Sequence, residues 1–159
     1  MKPLVTFFSA QSRKTADLAT ALAFILGADR FEFMPEPPYT KDDLDYENPD
    51  ARVNREAAAR QLLPMRGRVE NFEAYDLVLL GFPIWWGAIP LAVKSFCDGY
   101  DWTGKRVYIF TTGWDDVNRF PELLRPYMQG AEIVEAKLFK NPNVPDFQRW
   151  ADKLKKEIG

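Results

Sequence analysis

Three short stretches of this chain combine residue types that could do chemistry. The first is Ser9-Ala10-Gln11-Ser12-Arg13-Lys14-Thr15, with hydroxyls at Ser9, Ser12 and Thr15 and cations at Arg13 and Lys14, just ahead of a helical pattern. A helix N-terminus offers unpaired backbone N–H groups and a partial positive charge, so it can hold an anion. Hydroxyls with a cation beside them suit a phosphate dianion. The same residues would serve equally well as plain helix caps. The second stretch, Gly81-Phe82-Pro83-Ile84-Trp85-Trp86-Gly87-Ala88-Ile89-Pro90, sets two adjacent tryptophans between prolines and glycines. A strand-to-helix loop cannot easily bury both rings. At least one should lie partly exposed, either as a face for a planar ring system or as part of a protein interface. Gly87 would let the backbone approach a ring edge closely. The third stretch, Thr111-Thr112-Gly113-Trp114-Asp115-Asp116, could wrap the far side of such a ring, or Asp115 and Asp116 could simply cap a helix.

Composition narrows what these stretches can do. The chain contains no histidine and one cysteine, Cys97. That excludes Ser-His and Cys-His nucleophilic pairs, histidine-based metal sites, an internal disulfide and a thiolate metal site. No spaced loop for a hard cation is present. If the chemistry is redox, a bound cofactor must supply it. The formal net charge of −2 argues against a nucleic-acid or anionic-membrane partner. No apolar run reaches the length of a membrane span, and the N-terminal MKPLVTFFSA has no signal-peptide character, so a cytoplasmic location is expected. Cys97 follows Phe96 in a helical pattern with no basic neighbour in sequence. It reads as a small buried hydrophobe, with a redox role as the rival.

The elements that must position the three stretches follow from periodicity. Leu4–Phe8 is a short apolar run ending at Ser9, a buried strand. A helix begins at Thr15, with Leu18, Leu22, Ile25 and Leu26 on one face and Gly27 at its C-cap. Arg30–Met34 alternates as a second strand, and Pro35–Asp50 reads as a proline- and acid-rich loop. Asn48-Pro49 offers an N-cap and first position for a helix through Leu63, stopped by Pro64. Leu77–Phe82 is continuously apolar, which suits a central strand covered on both faces. A helix over Leu91–Tyr100, a strand over Arg106–Thr111, a helix over Val117–Tyr127 and a strand over Ile133–Phe139 come next. A last helix carries Phe147, Trp150, Ala151, Leu154 and Ile158 on one stripe. This βα alternation without a linker predicts a single α/β domain over residues 1–159, a parallel sheet with helices on both faces. All three stretches then follow strands and emerge on one edge of the sheet, where ligands of open α/β folds bind.

With those residues in place, the chain resembles the flavodoxin family, in particular short flavodoxin-like proteins with a Pro-Ile-Trp-Trp-Gly loop. The resemblance runs from Leu4 to the last helix. It implies a three-layer sandwich with sheet order 2-1-3-4-5 and non-covalently bound FMN. It also implies that Ser9, Gln11, Ser12, Arg13, Lys14 and Thr15 cradle the phosphate, while Pro83, Ile84, Trp85, Trp86, Gly87, Thr111, Thr112, Gly113 and Trp114 hold the isoalloxazine. One departure matters. The family reads Ser/Thr-x-Ser/Thr-Gly-x-Thr, with glycine where this chain has Arg13. Its first hydroxyl falls on Ala10, unless one residue is inserted and Ser9 takes that place. A residue with a Cβ at φ > 0 costs about 1–2 kcal/mol. Either the loop bends differently, or Arg13 or Lys14 offsets the strain by pairing with the phosphate. Function divides into an electron carrier working with a redox partner protein, an NAD(P)H-dependent FMN reductase of quinones or similar small acceptors, and a protein-binding module without FMN. Catalytic side chains and a metal are not expected, and a monomer or a homodimer is. Asp98, Asp101, Asp115 and Asp116 fall in or near the loops in sequence. They could steer a basic partner or form an ordinary solvated rim.

Overall fold

The computed structural model describes residues 1–10, 12–113, 116–139 and 144–158. Five strands, β1 (Pro3–Phe7), β2 (Asp29–Glu32), β3 (Leu77–Pro83), β4 (Arg106–Thr112) and β5 (Glu132–Phe139), alternate with α1 (Lys14–Leu26), α2 (Arg52–Ala59), α3 (Leu91–Asp98), α4 (Phe120–Leu124) and α5 (Val144–Ile158). The strands form one parallel sheet in the order β2-β1-β3-β4-β5. Successive side chains of a strand point to opposite faces, and both faces here are apolar. Leu77 and Leu79 join Phe7, Phe110, and Leu22 of α1 and Trp150 of α5 on one side. Val78 and Leu80 join Ile109, and Val93 and Phe96 of α3 and Phe120 of α4 on the other. This is the three-layer sandwich that the flavodoxin resemblance implied.

Two helices differ from the sequence-based expectation, the first through turn geometry at both ends and the second through proline chemistry. Asn48-Pro49 does not start α2. Asn48 closes a turn instead: its carbonyl accepts the Ala51 N–H at 3.0 Å and its side-chain oxygen accepts the Asp50 N–H at 3.0 Å. The helix begins after Ala51 and ends at Arg60, which takes a left-handed φ of 56°. Leu63, which precedes Pro64 and is biased away from helix, donates its N–H to Ser95 Oγ at 2.8 Å. The expected helix over Val117–Tyr127 shortens to α4 plus a 3-10 turn over Arg125–Tyr127. A helix from Val117 would need an N–H at Pro121, and its continuation would need one at Pro126. Proline has none, and its ring clashes with the carbonyl four residues earlier. The other boundaries shift by two residues at most.

Gly81 sits where β3 meets its neighbours, paired with Phe7 on one side and Phe110 on the other. A Cβ there would stand 2.2 Å from the Phe110 ring. Gly81→Ala should therefore destabilise the fold by about 1–3 kcal/mol, the usual cost of overpacking, read as a lower urea midpoint. A change within about 0.5 kcal/mol would show that the Phe110 ring has room to move aside.

Candidate functional site

The loops after β1, β3 and β4 meet at the carboxyl edge of the sheet, at the β1–β3 switch point. After β1 the chain makes a tight turn in which the Arg13 N–H donates to the Ala10 carbonyl at 3.2 Å. Arg13 itself takes φ 56°, ψ 13° at the N-cap of α1, so the left-handed turn normally left to glycine is present at an arginine. Its guanidinium makes two hydrogen bonds to the Glu32 carboxylate at the end of β2, at 2.6 and 2.9 Å. An arginine side chain cannot cap a helix, and Ser9 does so from four residues earlier: its hydroxyl accepts the Ala16 N–H at 3.2 Å. The N–H groups of Lys14 and Thr15 precede the first intrahelical bond, Asp17 N–H to the Arg13 carbonyl at 3.0 Å. They are the donors that a helix start leaves open.

The tryptophan pair lies in a two-residue turn. Trp85 and Ala88 exchange both backbone hydrogen bonds, at 3.0 and 2.8 Å. Trp86 (φ 49°) and Gly87 (φ 68°) between them are both left-handed. Positive φ at both central positions defines the type I′ turn, whose favoured pair is Asn-Gly. The turn divides the two rings. Trp85 is half-buried against Phe8 (centroids 5.4 Å apart) and Tyr39 (5.9 Å), while Trp86 is 57% exposed. Ile84 joins the β4 loop by donating its N–H to the Thr112 carbonyl at 2.9 Å. Gly113 (φ 132°) lies so close to Ile84 that a Cβ would meet the Ile84 Cβ at 3.2 Å.

A pocket of about 550 Å³ opens between these loops. Ala10 and Ser12 line it from the first loop, and Ile84, Trp85 and Trp86 from the second. Leu44 and Tyr46 line it from the long segment after β2. Thr15 and Thr112 are joined behind the lining, hydroxyl to hydroxyl at 2.9 Å and buried. Thr111 does not come to the pocket. It is fully buried and donates to the Lys137 carbonyl of β5 at 3.3 Å. Pro83 ends β3 and pairs with Thr112. Gln11, Trp114 and Asp115 lie outside the described residues.

Leu44, Tyr46 and Tyr39 were missed by sequence reasoning, which read Pro35–Asp50 only as a loop. Two tyrosines amid prolines and acids carried the same signal as the tryptophan pair. Their placement rests on a polar network. The Tyr39 hydroxyl donates to Glu56 at 2.5 Å and Arg52 Nε to the other Glu56 oxygen at 2.9 Å. Arg52 also reaches the Pro37 carbonyl at 2.7 Å, pairs with Asp43 at 3.6 Å and lies 4.6 Å over the Tyr39 ring. Burial first, and the bond to Glu56 second, push the Tyr39 hydroxyl well above its ordinary pKa, so it stays a donor.

Asp98 and Asp101 are not near the loops. Asp98 ends α3, which runs back across the sheet, and Asp101 precedes β4, so both lie at the opposite edge. Asp116 does follow the β4 loop and accepts the Asn118 N–H at 2.9 Å. Cys97 is fully buried in the core of α3, and desolvation pushes its thiol far above the ordinary range. That is the structural cysteine expected from its neighbours.

Comparison with known proteins gives a consistent picture. A flavodoxin family model matches residues 2–154. The chain is similar to a solved protein classed as a flavoprotein from Bacteroides eggerthii DSM 20697, at 30% identity and a TM-score of 0.81 over 95% of this chain and 96% of that one. It is likewise similar to one from Bacteroides uniformis ATCC 8492, at 25% identity and 0.84 over 95% and 97%. A flavoprotein from Lactobacillus acidophilus NCFM, solved in complex with FMN, shares the fold at 15% identity and 0.65, over 93% and 99%. No curated protein sequence gives a significant match.

The geometry of Trp86 yields a test of its own. Trp86→Asn relieves a left-handed tryptophan and installs the preferred type I′ pair, at the loss of one edge-on contact with Trp85 (6.1 Å). The net result should be a gain of about 0.5–1 kcal/mol in unfolding free energy, measured by urea titration. A loss of stability would show that the ring contributes more to the fold than the turn strain takes away.

Proposed function

The chain belongs to the flavodoxin family, and on that premise we propose that it binds FMN non-covalently and passes electrons through it to or from a redox partner protein. The observation that carries this reading is one pocket with two unlike kinds of lining. Ser12, the residue before the N-cap of α1, contributes a hydroxyl to its lining, and Trp85, Trp86, Ile84 and Tyr46 contribute apolar faces. An anion at the first and a flat apolar ring system against the second is the outline of a flavin mononucleotide, and the volume lies within the usual range for ligand sites.

The residues divide the work by chemistry. The amides of Lys14 and Thr15 and the Ser12 hydroxyl suit the phosphate. Arg13 is committed to Glu32, so it fixes the turn, and Lys14, exposed beside the helix start, is the cation free to approach a phosphate. The left-handed Gly87 gives a ring edge close access to the backbone, and Trp86 gives it a face. When bound, the flavin supplies hydride and one-electron chemistry, and the protein tunes it by stacking, hydrogen bonding and exclusion of water. No side-chain base is needed, which accords with a site lacking histidine.

A second reading, an NAD(P)H-dependent reductase of quinones or similar small acceptors, is favoured by a further open pocket of about 530 Å³ that shares Trp85 and Trp86 as a wall. Oxidation of NADPH by FMN-loaded protein in the presence of a quinone would select it over the electron carrier.

Titration of the apoprotein with FMN should quench flavin fluorescence with saturation at micromolar concentration or below. Lys14→Ala should weaken FMN about tenfold and leave riboflavin, which lacks the phosphate, unchanged. Arg13→Ala should weaken FMN less than Lys14→Ala does. No fluorescence change up to saturating flavin would overturn the flavin reading and favour a protein-binding module. Equal losses for FMN and riboflavin would overturn the phosphate assignment.

A further inference from the structure

The pocket that shares the tryptophan wall has a chemistry of its own. It lies between α2 and the first half of α3. Val53, Leu62, Ile89 and Leu91 give it apolar sides, with Trp85 and Trp86 as an aromatic wall of two rings set edge to face, 69° apart. Two cations border it. Arg60 stands in the left-handed residue that ends α2, and Lys94 is half-buried on α3. Among the described residues neither side chain has an ion-pair or hydrogen-bond partner. The one carboxylate in the lining, Glu56, is turned to other partners, with one oxygen on the Tyr39 hydroxyl and the other on Arg52 Nε.

Uncompensated positive charge beside apolar surface stands out in a chain of net charge −2. A partly desolvated ammonium gains most from an anion that arrives with its own apolar body. We propose that this pocket binds a planar aromatic acid, its ring against the Trp85–Trp86 wall and its carboxylate, sulfonate or phosphate between Lys94 and Arg60. The site is built wholly from protein groups and stands whether or not the neighbouring pocket holds a flavin. Because the two pockets share Trp85 and Trp86, an occupant here would lie next to whatever the first pocket binds.

The probe is 2-naphthoate, with 2-naphthamide as the neutral counterpart carrying the same ring. Calorimetric titration of the protein, alone and with saturating FMN, should give one saturable naphthoate site and naphthamide binding at least about tenfold weaker. Lys94→Gln and Arg60→Gln should each weaken naphthoate several-fold, leave FMN affinity unchanged and leave the thermal unfolding curve in place. Added salt should weaken naphthoate and spare naphthamide. Equal binding of the two probes overturns the proposal, as does full naphthoate affinity in both glutamine variants. Displacement of naphthoate by FMN also overturns it, because the acid would then occupy the other pocket. Naphthoate binding that persists where FMN fails to bind upholds this proposal and removes only the flavin reading.

Discussion

The structure depends on a strand that never reaches water. β3 is buried from Leu77 to Phe82, with a helix layer on each face. Its peptide groups can be satisfied only by β1 and β4. That requirement sets the register, which brings Phe7, Gly81 and Phe110 to one level. The loops after β3 and β4 therefore start level, past Pro83 and Thr112, with the β1 loop starting two residues below them. The anion-binding start of α1, the tryptophan turn and the Gly113 loop are neighbours because a buried backbone allows no other alignment.

Local backbone strain is concentrated where those loops meet. Of the non-glycine residues with left-handed φ among the described residues, Arg13, Arg60 and Trp86 all border pockets at this edge, and Asn71 does not. Such conformations persist only where surrounding contacts over-determine them. At Arg13 those contacts are the two bonds to Glu32, and at Trp86 they are the paired backbone bonds of Trp85 and Ala88. A glycine or asparagine would be easier on the backbone at either place but would bring neither a guanidinium nor an aromatic face.

How much of this was legible in the sequence depended on the range of the forces. β3 was readable because an unbroken apolar run has no solvent face to offer. The tryptophan pair was readable because a loop cannot hide two indoles. The expected α4 was misread where apolar spacing was weighed and the missing amides of Pro121 and Pro126 were not, and α2 was drawn too long because its left-handed end at Arg60 carries no glycine to announce it. Tyr39, Leu44 and Tyr46 were not readable as part of the site. Tyr39 is held by Arg52 and Glu56 and the Tyr46 carbonyl by Asn54, residues that lie on α2 and meet the loop only in three dimensions. The commitment of Arg13 to Glu32, 19 residues away, was hidden for the same reason.

The buried thiol of Cys97 has a further consequence. Only a thiolate reacts with alkylating reagents at a useful rate, and this sulfur is shielded from solvent and held protonated by its surroundings. The chain has no other cysteine. Alkylation of the native protein therefore requires α3 to lift from the sheet, exposing the core beneath Val93 and Phe96. The speed of that labelling is an internal clock for breathing of the very helix whose first turn borders the tryptophan wall. Any ligand that clamps α3 against the sheet will slow it, without a dye, a tag or an engineered residue.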